Sequence, residues 1–360
     1  MAISVPAAVL QEIINSVDKG IFNRRAPIKI DRKAMPLKDF WFNRRKKVES
    51  NQGAVRVALQ KSAENPMQGW TNLDPLAFNE NEIDLQTEFN FYNMHLGLIF
   101  VHDYLMNEGY EIDFNEKNAK IASPLSQNEA SRLRNIVKDK LEAHYDNFDA
   151  QEDLILHRDG SADPKLPPGL DAFVPLALTG SLGGVPFTNP LVAPYIALGL
   201  TSTAAGTMRE GMNTALWNAR LNSRGRTSGK YRIICGRGYA DRYSRFATLN
   251  NWQVHTMATG TPKLDISIAD SGLQFQGLPL EIDPTFDVLD TLDAPATPWT
   301  LRCYFLLEDA FVYGHPGSMD KKMSMPPDPA DVRMTRVSLD KRVSPFVTIG
   351  NANAVVTAAA

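Results

Sequence analysis

Residues 83–91 read IDLQTEFNF, and their alternation decides how the first third of this chain folds. Ile83, Leu85, Thr87, Phe89 and Phe91 fall on one face of an extended segment, and Asp84, Gln86, Glu88 and Asn90 on the other. That is the period of a half-buried strand. Upstream, Val55, Val57 and Leu59 alternate with Arg56, Ala58 and Gln60 in the same way. Between the two runs lies an irregular stretch that includes the turn-rich segment 65–72. Two amphipathic strands joined like this predict a long β-hairpin over about residues 51–92. A lone two-stranded hairpin has little stability in water, so it must lie against something.

The charges around the hairpin are sorted by sign. Residues 20–47 carry ten Lys or Arg (Arg24, Arg25, Lys29, Arg32, Lys33, Lys38, Arg44, Arg45, Lys46 and Lys47) against two acids, Asp31 and Asp39. Residues 74–116 carry ten acids, among them Asp74, Glu80, Glu82, Asp84 and Glu88, and no Lys or Arg. The whole chain balances at 38 basic and 41 acidic residues. Segregating the signs costs self-repulsion within each block, and the blocks relieve it by meeting the opposite charge on a neighbouring copy or a polyanion. Two ordinary solvated faces are the plainer alternative.

A chain of 360 residues, 43% hydrophobic, can fill a sizeable core and holds two or three domains. No run approaches the roughly 18 apolar residues of a membrane span, and residues 1–10 lack the pattern of a signal peptide. A cytosolic setting is the expectation. Cys235 and Cys303 stand far apart in apolar company, which predicts buried thiols rather than a disulfide.

Downstream, the pattern predicts a mixed α and β fold. Pro6 to Val17 reads as a short amphipathic helix, and Pro27 and Pro36 argue for an extended basic arm anchored by Trp41 and Phe42. Ser126 to Phe148 reads as the longest helix, with Leu133, Ile136, Val137, Leu141, Tyr145 and Phe148 in one stripe and a capping box at Ser126 and Glu129. A short strand is expected at 172–177, a turn-rich loop at 180–190, a second long helix at 202–221, a strand at 231–235 and a helix at 239–249. Further strands are expected near 264–268, 273–275, 280–282 and 301–307, and a last one within 343–356.

No constellation of residues announces catalysis. The six histidines lack metal-motif spacing, and His95 and His102 read as surface residues. Thr179 occupies the position that a nucleophile elbow around Ser181 would give to glycine. Gly236-Arg237-Gly238 lacks the spacing of a phosphate loop and reads as a tight strand-to-helix turn. Glu281 and Asp283 share a strand face, as many exposed acids do. The sequence therefore yields no catalytic residue, no metal ligand and no cofactor. Nine Lys or Arg in 209–245 against Glu210 and Asp241 suit only salt-dependent, sequence-independent contact with phosphate.

The order of parts and several local phrases resemble the major capsid proteins of tailed double-stranded-DNA bacteriophages, the Hong Kong 97-type fold. The phrases are Gly183-Gly184-Val185-Pro186-Phe187-Thr188-Asn189-Pro190, Tyr239-Ala240-Asp241-Arg242-Tyr243, Phe275-Gln276-Gly277-Leu278-Pro279-Leu280 with Asp283, and Tyr304 to Asp309 followed by His315-Pro316. The resemblance implies an α+β chain with an N-terminal arm at 1–50 and an extended hairpin loop at 51–92. A peripheral domain with a spine helix would take 93–170 and 286–342, and an axial α/β domain 171–285 and 343–360. It implies self-assembly into hexamers and pentamers of an icosahedral shell, a virion component put together in the bacterial host cytoplasm, without a membrane.

Its implied partners are packaged DNA held non-specifically, a separate scaffolding protein, a portal and a decoration protein. Arg24, Arg25, Arg32, Lys33, Arg44, Arg45, Lys46 and Lys47 on the arm would attract Asp74, Glu80, Glu82, Asp84 and Glu88 on a neighbour's hairpin. Lys61, the only lysine within 53–82, is the candidate for a cross-link to Asn351 or Asn353. Three readings stand beside this one: an encapsulin-like nanocompartment shell, a soluble hydrolase using scattered carboxylates, and a nucleic-acid-binding module.

Overall fold

In the structure, a computed structural model, the alternating runs pair as a hairpin. Strand β3 (Ala54–Gln60) is antiparallel to β4 (Asp84–Asn90), with Val55 opposite Phe89, Val57 opposite Thr87 and Leu59 opposite Leu85. The structure describes residues 3–6, 13–14, 34–48, 53–60, 84–101, 110–113, 127–201, 207–223, 230–249, 273–317, 320–324 and 334–359. The hairpin tip, the expected strand near 264–268 and most of the basic arm lie outside them. No helix among the described residues is long and apolar enough to cross a membrane.

The chain forms two compact units. One comprises Met1–Lys33, Asn93–Glu152 and Ser318–Arg342. In it, β1 (Ile3–Pro6) pairs in parallel with β6 (Tyr110–Asp113), so Pro6 closes a strand instead of opening the expected helix. Residues 13–14 are helical, and the rest of that expected helix lies outside the described residues. Strand β5 (Tyr92–Val101) and the long strand β16 (Met334–Val347) pair, and β15 (Lys322–Ser324) lies antiparallel on β16 from Lys322 opposite Asp340 to Ser324 opposite Ser338. Helix α2 (Gln127–His157) contributes its first twenty-six residues, through Glu152, to this unit. Leu133, Val137, Leu141, Tyr145 and Phe148 are its buried stripe, as the periodicity predicts.

The other unit comprises Ala34–Tyr92, Asp153–Gly317 and Val343–Ala360. It begins with α1 (Pro36–Asn43), followed by the short strand β2 (Arg45–Lys47). The extended arm expected here is corrected to a helix because Pro36 occupies its first turn, where a missing N–H costs nothing and a fixed φ helps. The anchors hold: the Trp41 ring lies 5.0 Å from that of Phe311 and 5.8 Å from that of Phe173. Helix α2 (Gln127–His157) ends in this unit, nine residues beyond the expected stop at Phe148. The strand expected at 172–177 is instead helix α3 (Leu170–Phe173), which buries Leu170 and Phe173, spaced by three as one helical turn requires. A small hairpin, β7 (Ser181–Leu182) with β8 (Val185–Pro186), occupies the expected loop.

The core of this unit is a six-stranded sheet in the order β11-β12-β10-β13-β17-β9. Its strands are β9 (Tyr195–Leu200), β10 (Tyr231–Cys235), β11 (Gln274–Phe275), β12 (Leu278–Ile282), β13 (Arg302–Leu307) and β17 (Ala354–Ala358). All residues of β13 and β17 are buried, the signature of strands covered on both faces. Helix α4 (Thr207–Asn222) packs on β9 and β17, and α5 (Arg237–Leu249) on β12 and β17. Gly236 makes the tight turn from β10 into α5, where an added Cβ would stand 2.4 Å from the Thr300 carbonyl oxygen. Helix α6 (Thr285–Asp293) follows β12. Strand β14 (Phe311–His315) pairs in parallel with β2 and antiparallel with residues 344–347 of β16. The single strand expected in 343–356 is therefore two, β16 and β17, separated at Gly350-Asn351.

Cys235 and Cys303 sit directly opposite each other on β10 and β13, buried and unbonded. Burial pushes the Cys303 thiol well up, which keeps it in the unreactive protonated form.

Candidate functional site

Of the sequence-predicted surface charges, Arg44 to Lys47, Asp84 and Glu88 lie within the described residues. Arg45, Lys46 and Lys47 form β2 and are all exposed. Arg44, just before them, pairs with Asp309 of its own chain. The Arg45 guanidinium stands 5.1 Å over the Phe42 ring. Glu88 is exposed on β4, 3.8 Å from Arg56, and Asp84 opens the same strand. Arg24, Arg25, Arg32, Lys33, Lys61, Asp74, Glu80 and Glu82 lie outside the described residues. Of the cross-link candidates, Asn353 is fully buried and its amide is committed to the fold. It donates to the Ile349 carbonyl at 2.9 Å and accepts from the Leu307 N–H at 3.0 Å. Asn351 donates to the Pro190 carbonyl at 3.0 Å.

The base of the hairpin is clamped. The Glu88 N–H donates to the Gly183 carbonyl at 2.9 Å, and Phe89 packs its ring 5.9 Å from Phe346 and 6.2 Å from Phe173. The Ser344 hydroxyl donates to the Phe89 carbonyl at 3.4 Å. Gly183 has φ +55°, and a Cβ there would meet Thr87 Cβ at 2.8 Å. Only glycine fits that approach without displacement. A cavity of about 160 Å³ opens here among Glu88, Phe89, Tyr92, Phe173 and Leu182. Its lining holds one carboxylate, Glu88, and not the facing pair a two-carboxylate hydrolysis needs.

Sequence reasoning missed a buried ionic cluster at the end of α2. Asp153, His157 and Asp283 are each no more than 1% exposed. His157 Nδ1 donates to the Asp153 carbonyl at 2.6 Å, and Nε2 faces Asp283 Oδ2 at 3.0 Å. Thr285 ties the two acids together: its N–H donates to Asp283 Oδ1 at 2.9 Å and its hydroxyl to Asp153 Oδ2 at 2.6 Å. Burial alone would lower the imidazole, but the Asp283 and Asp153 carboxylates and both hydrogen bonds outweigh it, and its pKa is raised. Asp283 moves down, since the cation and its hydrogen bonds outweigh the desolvation that would raise it. Asp153 moves up because desolvation dominates over His157, Thr285 and the nearby Lys38 charge.

The three groups offer ligand atoms within 4.8 Å of one another. With both ring nitrogens against acceptors, a proton already joins His157 to Asp283, and the charges of Lys38 and His157 offset the two carboxylates. The cluster is therefore a buried ion network, in which loss of one partner strands a charge. No pair of its members is close in sequence except Asp153 and His157, whose i, i+4 spacing on a helix was the available signal.

The other unit has its own buried pair. Lys341 on β16 meets Glu152 on α2, both essentially unexposed, and Lys321 meets Asp149 one turn earlier. Burial pushes the Lys341 ammonium down to about 8 despite Glu152. The exposed His95 meets Asp340 at 2.7 Å.

No family model matches the chain, and no curated protein matches it in sequence. Solved structures do match in fold. The capsid asymmetric unit of cyanophage A-1(L) is similar over 93% of this chain and 96% of its own, with a TM-score of 0.59 at 14% identity. The capsid asymmetric unit of cyanophage Pam1 is similar over 93% and 95%, with a TM-score of 0.50 at 12% identity. A chain from Mycobacterium phage Ogopogo is similar over 95% and 98%, again with a TM-score of 0.50 at 12% identity. Over nearly all its length, then, this chain has the α+β, Hong Kong 97-like fold of phage capsid subunits.

Proposed function

We propose that the chain is the major capsid protein of a tailed bacteriophage, a structural subunit that closes with copies of itself into an icosahedral shell around double-stranded DNA. One observation carries this reading: the likeness to the cyanophage A-1(L) capsid subunit spans 93% of this chain and 96% of that one, so the whole chain, not a domain of it, is built as a shell subunit is. Function then lies in contacts between copies, not in catalysis. In this reading the basic β2 and the hairpin carrying Glu88, both exposed, meet neighbouring copies. Each exposed pair contributes only about 0–1 kcal/mol, but many copies linked together hold a shell.

In this reading the hairpin reaches a neighbouring copy, hexamers and pentamers make up the shell, and remaining basic groups meet DNA phosphate non-specifically. Scaffolding, portal and decoration proteins are the separate partners. The shell is put together in the host cytoplasm and travels as the virion. Electron microscopy of the purified protein tests the proposal: rings, capsomers or shells support it, and a monodisperse small monomer refutes it.

A further inference from the structure

Helix α4 turns two large apolar side chains to solvent. Trp217 is 67% and Leu221 72% exposed, one helical turn apart, and Arg220 lies between them, also exposed. The opposite face of the same helix buries Met208, Met212, Ala215, Leu216 and Ala219, so its own fold already has all the apolar contact it needs. A surface Trp and Arg side by side have the composition of a binding hot spot. The one acid on the exposed side, Glu210, lies two turns away.

A second exposed apolar site of opposite charge lies on α6. Leu292 is 57% exposed, and the helix carries Asp287, Asp290 and Asp293 with no Lys or Arg. Asp290 is used within the chain, accepting from the backbone of Trp299 and Thr300, and Asp293 pairs with Arg158. Asp287 is exposed and has no ion-pair partner among the described residues. The chain thus displays an apolar patch with a basic neighbour and another with an acidic neighbour. Two unlike, complementary patches on one chain suit a head-to-tail contact, which closes into rings where the rotation between copies allows it.

We infer that the Trp217–Arg220–Leu221 face of α4 docks on the exposed side of α6 in a second copy of this chain, with Leu292 at one edge of that side and Asp287 towards the other. The inference rests on the shell reading and names one contact within it. Trp217 and Leu221 supply the dry centre, and Arg220 meets Asp287 at the rim.

Five variants test it on the purified full-length protein. Trp217→Glu should leave the thermal transition of the subunit unchanged and lower the association constant by about thirtyfold or more, as loss of a hot spot does. Arg220→Glu should weaken assembly less, and Arg220→Glu with Asp287→Arg should restore it. The double variant Leu221→Cys/Thr291→Cys, oxidised in the particle, should give a ladder of dimers, trimers and larger chains on a denaturing gel; the native cysteines, both buried, do not compete. Assembly of Trp217→Glu at the wild-type level, absence of the ladder, or dimers from Leu221→Cys alone would overturn the contact while leaving the shell reading intact. Wild-type protein that never assembles would instead remove the shell reading itself.

Discussion

Lys341 and Lys46 carry the same ammonium group and are used in opposite ways. Lys341 is sealed in its unit against Glu152, and burial brings its pKa down to about 8. Lys46 stands exposed on β2, in a run of three cations. The same contrast separates His157, enclosed with Asp153 and Asp283, from Arg220 on the outer face of α4. Buried ions bind the chain to itself, and removing one partner strands a charge in a poor solvent. Exposed ions add little to the isolated subunit, and in the proposed shell they face other copies. The inner set should therefore govern folding, and the outer set assembly.

The largest effect expected from that division is in the His157 cluster. Asp283→Ala leaves a buried imidazolium without its carboxylate and should cost about 3–5 kcal/mol of unfolding free energy in urea titration. A loss under about 1 kcal/mol would break the comparison. The same cluster fixes two pH limbs. A raised His157 pKa contributes stability that is complete below its unfolded value of 6.5 and fades as pH climbs through the folded value. A lowered Asp283 pKa contributes stability that is complete above 3.8 and fades as pH falls through its folded value.

Lys341 sharpens the comparison with the opposite sign. Its folded pKa of about 8 lies below the unfolded 10.5, so the folded chain binds fewer protons across that window and stability gains as pH rises through it. The gain is on the order of a few kcal/mol. A Lys341→Met/Glu152→Leu variant should lose this rising limb while remaining folded. Retention of the limb in that variant would reassign it.

Gly183→Ala comes next. A left-handed φ and the contact with Thr87 should cost about 1–2 kcal/mol, read as faster amide exchange at Glu88, whose N–H the Gly183 carbonyl holds. Unchanged exchange at Glu88 would mean that the clamp does not hold the hairpin base. The smallest effect on folding belongs to the outer set. Lys46→Glu should shift unfolding by no more than about 0.5 kcal/mol and yet impair assembly. A folding loss equal to that of Asp283→Ala would erase the distinction between inner and outer charge.

The hairpin was legible because alternation in 55–60 and 83–91 survives in the sequence, and the pairing register follows it residue by residue. The start of α2 was legible for the same reason. Its end was not, because beyond Phe148 three of the four buried positions are Glu152, Asp153 and His157, which read as surface until their partners arrive from Lys341 and Asp283. Proline misled at Pro36, where the first turn of a helix accommodates it. Local pattern carries elements whose burial is apolar. It is silent where burial is achieved by ions brought together from far along the chain, and silent on Trp217, whose exposure breaks the rule that large aromatic rings turn inward.

The most direct measurement of the central claim is sedimentation of the purified wild-type chain over a wide range of concentration and salt. A shell subunit gives large particles of discrete size that weaken as salt screens the outer charges. A single species of 40.0 kDa at every concentration and ionic strength would contradict it.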